Sequence, residues 1–211
     1  MDFNNLPVRI REALSGDLPG FDAHKIMGVS GHYRRQHPPE DCSQAGVLAL
    51  FYQEKGIWKL IFIRRSNRYH DDRHKGQIGF PGGKYEDHDD NLMETALREA
   101  NEEIGVNPNQ IEVLEKLSKL YIPVSNFLVH PYVGVFDGIP DFRLQTAEID
   151  VVLTPEFHIF FEEKIKKTTD IPIARGIQLK NIPYYDLNGQ VLWGATAMML
   201  TELLWVLGKE Y

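Results

Sequence analysis

The stretch Phe80–Val106, FPGGKYEDHDDNLMETALREANEEIGV, decides how this 211-residue chain is read. It opens on Phe80-Pro81 and a tight Gly82-Gly83 turn, crosses an acidic loop and then turns helical. From about Leu92 to Ile104 there is no Pro or Gly, and strong helix formers dominate. Asp89, Asp90 and Asn91 are candidate N-caps, and Gly105 followed by Pro108 marks the stop. On such a helix Met93, Leu97, Ala100 and Ile104 form one stripe that faces a core. Glu99, Glu102 and Glu103 gather on roughly the opposite side. Three carboxylates on one turn repel each other unless water or a cation screens them. A hard cation such as Mg2+ prefers oxygen ligands and keeps waters, so it suits a partial carboxylate cage that also receives substrate phosphates. A plain solvated acidic face would need only the three glutamates, and the stretch holds more than that.

Read as a whole, the stretch resembles the Nudix box, G-x5-E-x7-R-E-U-x-E-E-x-G-U with U a bulky aliphatic residue. Gly83, Arg98, Glu99, Glu102, Glu103, Gly105 and Val106 fit it. The loop acid is Asp89 or Asp90 rather than Glu, and Ala100 fills the first bulky position. With Asp89 as the counterpart, one extra residue precedes Arg98, a loop form similar to the coenzyme A diphosphatase branch. That branch is also resembled upstream, by Arg65-Ser66 and by Gly76-Gln77-Ile78 running into Phe80-Pro81-Gly82-Gly83, with His74 close before the glycine. The interval from Ser66 to Gly76 is longer than in the branch pattern, and Asp72 stands where an arginine is expected, next to Arg73. Tyr121–Ser125 and Trp193–Ala197 are similar to the same branch.

The resemblance implies an α/β/α sandwich with a mixed sheet, and hydrolysis of a nucleoside diphosphate linked to another group with Mg2+ or Mn2+. Glu99, Glu102 and Glu103 are then the metal ligands, and Glu148, with Asp150 behind it, is the candidate carboxylate from outside the box. Arg98 orients a glutamate, and either Glu103 or Glu148 serves as general base. Gly82 and Gly83 let the loop pass close to the helix, where a Cβ would clash. The basic run holding Arg64, Arg65, Arg73 and His74 is expected to contact phosphates, which guanidinium groups bind in pairs. For the branch, the substrate is coenzyme A or its thioesters, cleaved to adenosine 3',5'-bisphosphate and 4'-phosphopantetheine or its acyl form. The alternatives are a Nudix hydrolase of ADP-ribose or another nucleoside diphosphate derivative, and a Nudix sensor that binds nucleotide without turnover.

The remaining sequence frames this site. With 43% hydrophobic and 25% charged residues, the chain reads as one globular domain, residues 1–44 being an N-terminal helix and covering segment and 45–211 the core. A net charge of −7 argues against a large nucleic-acid footprint, so the expected partner is a small molecule. One cysteine, Cys42, excludes an intrachain disulfide and a Cys-based zinc site and fits a reducing compartment. The first residues lack a continuous apolar run, and Lys209-Glu210-Tyr211 is not a peroxisomal address, so a cytoplasmic location is expected. Val191 to Leu207 is too short for a membrane span and carries Glu202, which makes it a core-facing or homodimer-facing helix.

Elsewhere, Leu6, Ile10 and Leu14 predict a short helix, and residues up to Pro39 read as loop. Ala45–Tyr52 and Trp58–Ile63 predict two strands around a turn at Glu54–Gly56. Ile111–Leu120 and Val129–Val135 predict two more, joined by a rigid segment at Tyr121–Ser125. Pro155–Lys167 is expected to be helical. After it come a strand, a turn at Asn188-Gly189, a second strand and the C-terminal helix.

Overall fold

In the computed structural model, which describes residues 3, 5–29, 37–66, 76–173 and 178–208, the architecture is built on β1 (Ser43–Glu54). Successive side chains of a strand point to opposite faces, and β1 is apolar on both. Ala49 and Phe51 join a core with Leu6, Ile10, Phe157, Leu200 and Leu203. Leu48, Leu50 and Tyr52 join a second core with Ala96, Leu97, Ala100 and Ile104. A strand buried on both faces belongs in a sheet covered by helices on both sides.

The partners of β1 complete that sheet. β1 runs antiparallel to β2 (Ile57–Leu60) and to β5 (Gly82–Lys84), and parallel to β8 (Phe127–Phe136). β6 (Ile111–Lys116) and β7 (Leu120–Ile122) pair antiparallel with β8. A small sheet joins β4 (Ile78–Gly79), β3 (Phe62–Arg65) and β9 (Ile149–Leu153) in that order. A third joins β10 (Lys166–Pro172), β11 (Gln178–Leu187) and β12 (Gln190–Leu192). The helix α3 (Leu92–Ile104) covers one face of the main sheet, and α1 (Leu6–Leu14) and α4 (Gly194–Val206) pack into the core on the other. The expected α/β/α layering with a mixed sheet is present. No helix among the described residues is long and apolar enough to cross a membrane.

Several elements differ from the sequence expectation. The run Trp58–Ile63 stays extended but changes sheets at Ile61. One edge of β1 is shared, β5 pairing with Ala45–Val47 and β2 with Phe51–Glu54, so the strand beyond Leu60 has to find β9 instead. The run Ile111–Leu120 is broken between β6 and β7, where the Ser118 N–H donates to Glu202 Oε2 at 3.1 Å rather than to a strand. The expected rigid connection at Tyr121–Ser125 begins inside β7 and ends in a turn. Residues 155–167 are not an α-helix: they form two 3-10 turns, Phe157–Phe161 and Glu163–Ile165, and then enter β10. Side chains three apart line up in a 3-10 turn, and Phe157 and Phe160 are both fully buried against Phe51 and Phe62. Within the expected N-terminal loop lies a short helix, α2 (Phe21–His24).

Candidate active site

The helix α3 is cut at both ends as its sequence dictates. Of the three candidate caps, Asn91 does the work, its side chain accepting from the N–H groups of Met93 (2.9 Å) and Glu94 (3.1 Å). Gly105 closes the helix in the left-handed region at φ 75°. The Phe80–Gly83 loop is pinned beside the helix by two contacts: Phe80 stacks on Phe62 at 5.0 Å, and the Leu48 N–H donates to the Pro81 carbonyl at 2.8 Å.

Three glycines allow the loop, β1 and α3 to meet. Gly82 sits at φ 148°, and a Cβ there would lie 2.6 Å from Val47 Cα. The close approach at Gly82 is thus to β1, not to the helix. Gly83 is the one that faces the helix, since its Cβ would overlap the Glu99 carboxylate. Gly46, inside β1, was not singled out by the sequence. A Cβ there would run into the Leu92 carbonyl and sit 3.0 Å from Ala96 N, so Gly46 sets how closely α3 lies on the sheet. A glycine within an otherwise apolar strand was the available signal.

Arg98 organises the carboxylates. Its Nε and one Nη grip Asp89 in a two-pronged pair at 2.7 and 3.0 Å, and the other Nη donates to Glu99 (3.0 Å) and Glu102 (3.2 Å). A further bond runs to the Lys84 carbonyl. Asp89 is buried and also accepts from Thr95 Oγ1 and the Glu86 N–H, whereas Asp90 is exposed, so Asp89 is the loop acid. Its bond to Arg98 above all holds the Asp89 carboxyl well below the usual carboxylate range, and the same bond raises the guanidinium. The role expected for Arg98 is therefore wider, since it ties three carboxylates rather than one.

The glutamates do not share one environment. Glu102 is half exposed, Glu99 is mostly covered, and Glu103 is buried with 2% of its side chain accessible. Glu103 Oε2 accepts from the Gly82 N–H at 2.9 Å, and Arg65 approaches Oε1 at 3.4 Å. Burial pushes the Glu103 carboxyl up to about 8; the charges of Glu99 and Glu148 add to this, while Gly82 and Arg65 oppose it. Glu99 is raised too, chiefly by burial and further by Glu102 and Glu148, with Arg98 opposing. Glu148 itself is exposed, at the entry to β9, and its carbonyl takes the Ser66 N–H at 2.6 Å. A β-bulge in β9 opposite Arg64-Arg65 adds Asp150, also exposed, between the paired residues Ile149 and Val151.

The adjacent arginines of β3 part company. Arg65 reaches Glu103, while one Arg64 Nη donates to Gln190 Oε1 in β12 at 3.2 Å. Arg73 and His74, also expected at the phosphates, lie outside the described residues.

This set fits a hard divalent cation in its chemistry: it offers only carboxylate oxygens, and burial makes Glu99 and Glu103 costlier as anions. Among the described residues no three His, Cys, Asp or Glu side chains are already gathered as a cage. Arg98, Arg65 and the Gly82 N–H hold one or both oxygens of each glutamate in place.

Comparison with known proteins agrees with this arrangement. The NUDIX domain family model matches residues 43–167, more than half of the chain. The chain is 29% identical over 164 residues to Nudix hydrolase 22, chloroplastic, of Arabidopsis thaliana, covering 74% of this chain and 52% of that protein. It therefore spans about half the length of that relative. It is 32% identical over 158 residues to the uncharacterized Nudix hydrolase NudL of Yersinia enterocolitica, covering 68% of this chain and 71% of that one. Among solved structures, a MutT/nudix family protein from Enterococcus faecalis superposes with a TM-score of 0.51 at 16% identity, over 84% of this chain and 71% of that one. With the glycine loop, the Arg98 hub and the glutamate turn in place, the matched model and the NudL relative show that this chain belongs to the Nudix hydrolase family.

Proposed function

We propose that this chain is a metal-dependent diphosphatase of coenzyme A or its thioesters, releasing adenosine 3',5'-bisphosphate and 4'-phosphopantetheine or the acyl form. The observation that carries the reading is the Arg65–Glu103–Gly82 contact. It joins the two branch-like stretches, Arg65-Ser66 and Phe80–Gly83, at one buried carboxylate. A nucleotide sensor has no need of a buried glutamate held by both stretches and pushed up to about 8.

In this reading Glu99, Glu102 and Glu103, with Glu148 across from them, hold Mg2+ or Mn2+. When bound, the cation supplies charge neutralisation at the diphosphate and acidifies the attacking water. The chain's own residues do the rest. Arg98 fixes the Glu99 and Glu102 oxygens against Asp89, so that little reorganisation accompanies the reaction. Arg65 brings positive charge to the buried glutamate and to a phosphate beside it. Glu103, buried and already basic, and Glu148, exposed and adjacent, are the two carboxylates suited to accept the proton of the attacking water.

Mass-resolved product analysis tests the proposal, with coenzyme A and ADP-ribose as parallel substrates and Mg2+ or Mn2+ present or chelated. Metal-dependent 4'-phosphopantetheine, with ADP-ribose largely untouched, is expected. Cleavage of ADP-ribose with coenzyme A left intact would discard the substrate assignment and leave the diphosphatase chemistry standing.

A further inference from the structure

Among the described residues, Arg64 is a cation without an acid. It lies half-buried in β3, its Nε is shut off from solvent with no hydrogen-bond partner, and the one bond of its guanidinium is to a neutral amide, Gln190. No carboxylate among the described residues pairs with it. Its neighbour Arg65 is spent on Glu103. A partly desolvated charge facing only an amide is unfavourable in the empty protein, and an oxyanion on the open Nη edge removes that cost.

The place is also defined. Residues adjacent in a strand project to opposite faces, so Arg64 and Arg65 straddle the small sheet. Arg65 faces the carboxylate helix, and Arg64 faces the β11–β12 hairpin that leads into α4. Among the described residues the edge between them is β4, two residues long, and Gly79 in it carries no side chain.

We propose that Arg64, held in position by Gln190, binds a second phosphate of the substrate, a monoester remote from the diphosphate that is cleaved. The substrate then passes over the β4 edge with its diphosphate at the glutamates and its terminal phosphate at Arg64. This rests on the diphosphatase reading above, in which the only phosphate outside the diphosphate is the monoester on the ribose. Arg64 is a specificity residue here, since it sets which nucleotide is taken rather than the chemistry.

The test separates this from the substrate assignment. Calorimetric titration with adenosine 3',5'-bisphosphate and with adenosine 5'-monophosphate, both with Mg2+, gives a preference ratio for the native protein and for Arg64→Gln, Arg64→Lys and Gln190→Ala. The native protein is expected to prefer the bisphosphate by ~10-fold or more. Arg64→Gln is expected to bring the ratio close to one without weakening the monophosphate, and Arg64→Lys and Gln190→Ala to give intermediate ratios. Equal binding of the two nucleotides by the native protein would overturn the proposal, and so would an Arg64→Gln protein that weakens both alike. If Arg64→Gln fails to fold, Arg64→Lys, which keeps charge and stem, decides on the same ratio. A ratio that depends on Arg64 in a protein that leaves coenzyme A uncleaved would sink the substrate reading and keep this one.

Discussion

At the scale of single residues, the site is a contest between burial and charge. Glu103 is deep enough that its carboxyl is pushed up to about 8, and two neighbouring glutamates add to the push. Replacing it with Gln keeps an acceptor for the Gly82 N–H and removes the group that can bind a cation or take up a proton. Turnover of Glu103→Gln is expected to fall ~100-fold or more, about 2.7 kcal/mol of transition-state stabilisation. Steady-state kinetics on coenzyme A check this, and a near-native rate would remove Glu103 from the chemistry. Gly83→Ala is the complementary change. Its new methyl meets the far end of the Glu99 side chain, which can swing away, so the melting temperature should hardly move. The swing breaks the bond from Arg98 to Glu99, and kcat should drop at least ~10-fold. A variant that melts early but keeps its kcat would show that Gly83 serves the fold rather than the site.

At the scale of elements, the decisive contact is the seat of α3 on β1. The helix sequence sets its length, cap and apolar stripe, but its distance from the sheet is set by Gly46, whose missing side chain leaves room for the Leu92 carbonyl. Backbone cannot swing away as a side chain can. Gly46→Ala is therefore expected to destabilise the fold by about 1–3 kcal/mol or more, as overpacking does, and to weaken catalysis by lifting the glutamates from the loop. Urea unfolding monitored by circular dichroism measures the first effect. A native-like midpoint would show that the sheet and helix accommodate the methyl. The corrected elements follow the same logic. The apolar run Trp58–Ile63 is that of a strand, and the shared edge of β1 explains why it changes sheets.

At the scale of the whole molecule, Glu202 links the layers on the side away from the active site. Fully buried in α4, it accepts from His24 Nε2 in α2 (3.0 Å), from the Gly20 N–H (3.1 Å) and from the Ser118 N–H between β6 and β7 (3.1 Å). Burial alone would raise this carboxyl, but the bonds from His24, Ser118 and Gly20 together bring it below its ordinary value. A carboxyl lowered in the folded state binds its proton more readily when unfolded. Its stabilising contribution is thus fully present above the unfolded value of about 4.3 and is lost as pH falls through the lower folded value. Melting temperatures between pH 7 and pH 3 should fall more steeply for the native protein than for Glu202→Gln. Identical slopes would show that another group carries the acid sensitivity.

Much of this was legible in the residue order. The spacing of Gly83, Arg98, Glu99, Glu102 and Glu103, the helix from Leu92 to Ile104 and the continuous apolar run of β1 are local, and local geometry follows from propensity, capping and periodicity. By itself the sequence therefore determined the layered class, the carboxylate-bearing helix and the family. What it could not determine depends on residues far apart in the chain. The choice of Asp89 over Asp90 rests on which of them is buried against Arg98, and the aromatic run at 157–161 became a 3-10 turn because Phe51 and Phe62 wait beneath it. The parting of Arg64 from Arg65 and the buried clasp of His24 and Glu202 were likewise decided by tertiary structure alone. Burial and like-charge crowding belong to the assembled fold, and they separate three glutamates on one helical turn into a buried base-like carboxyl, a clamped one and an exposed one.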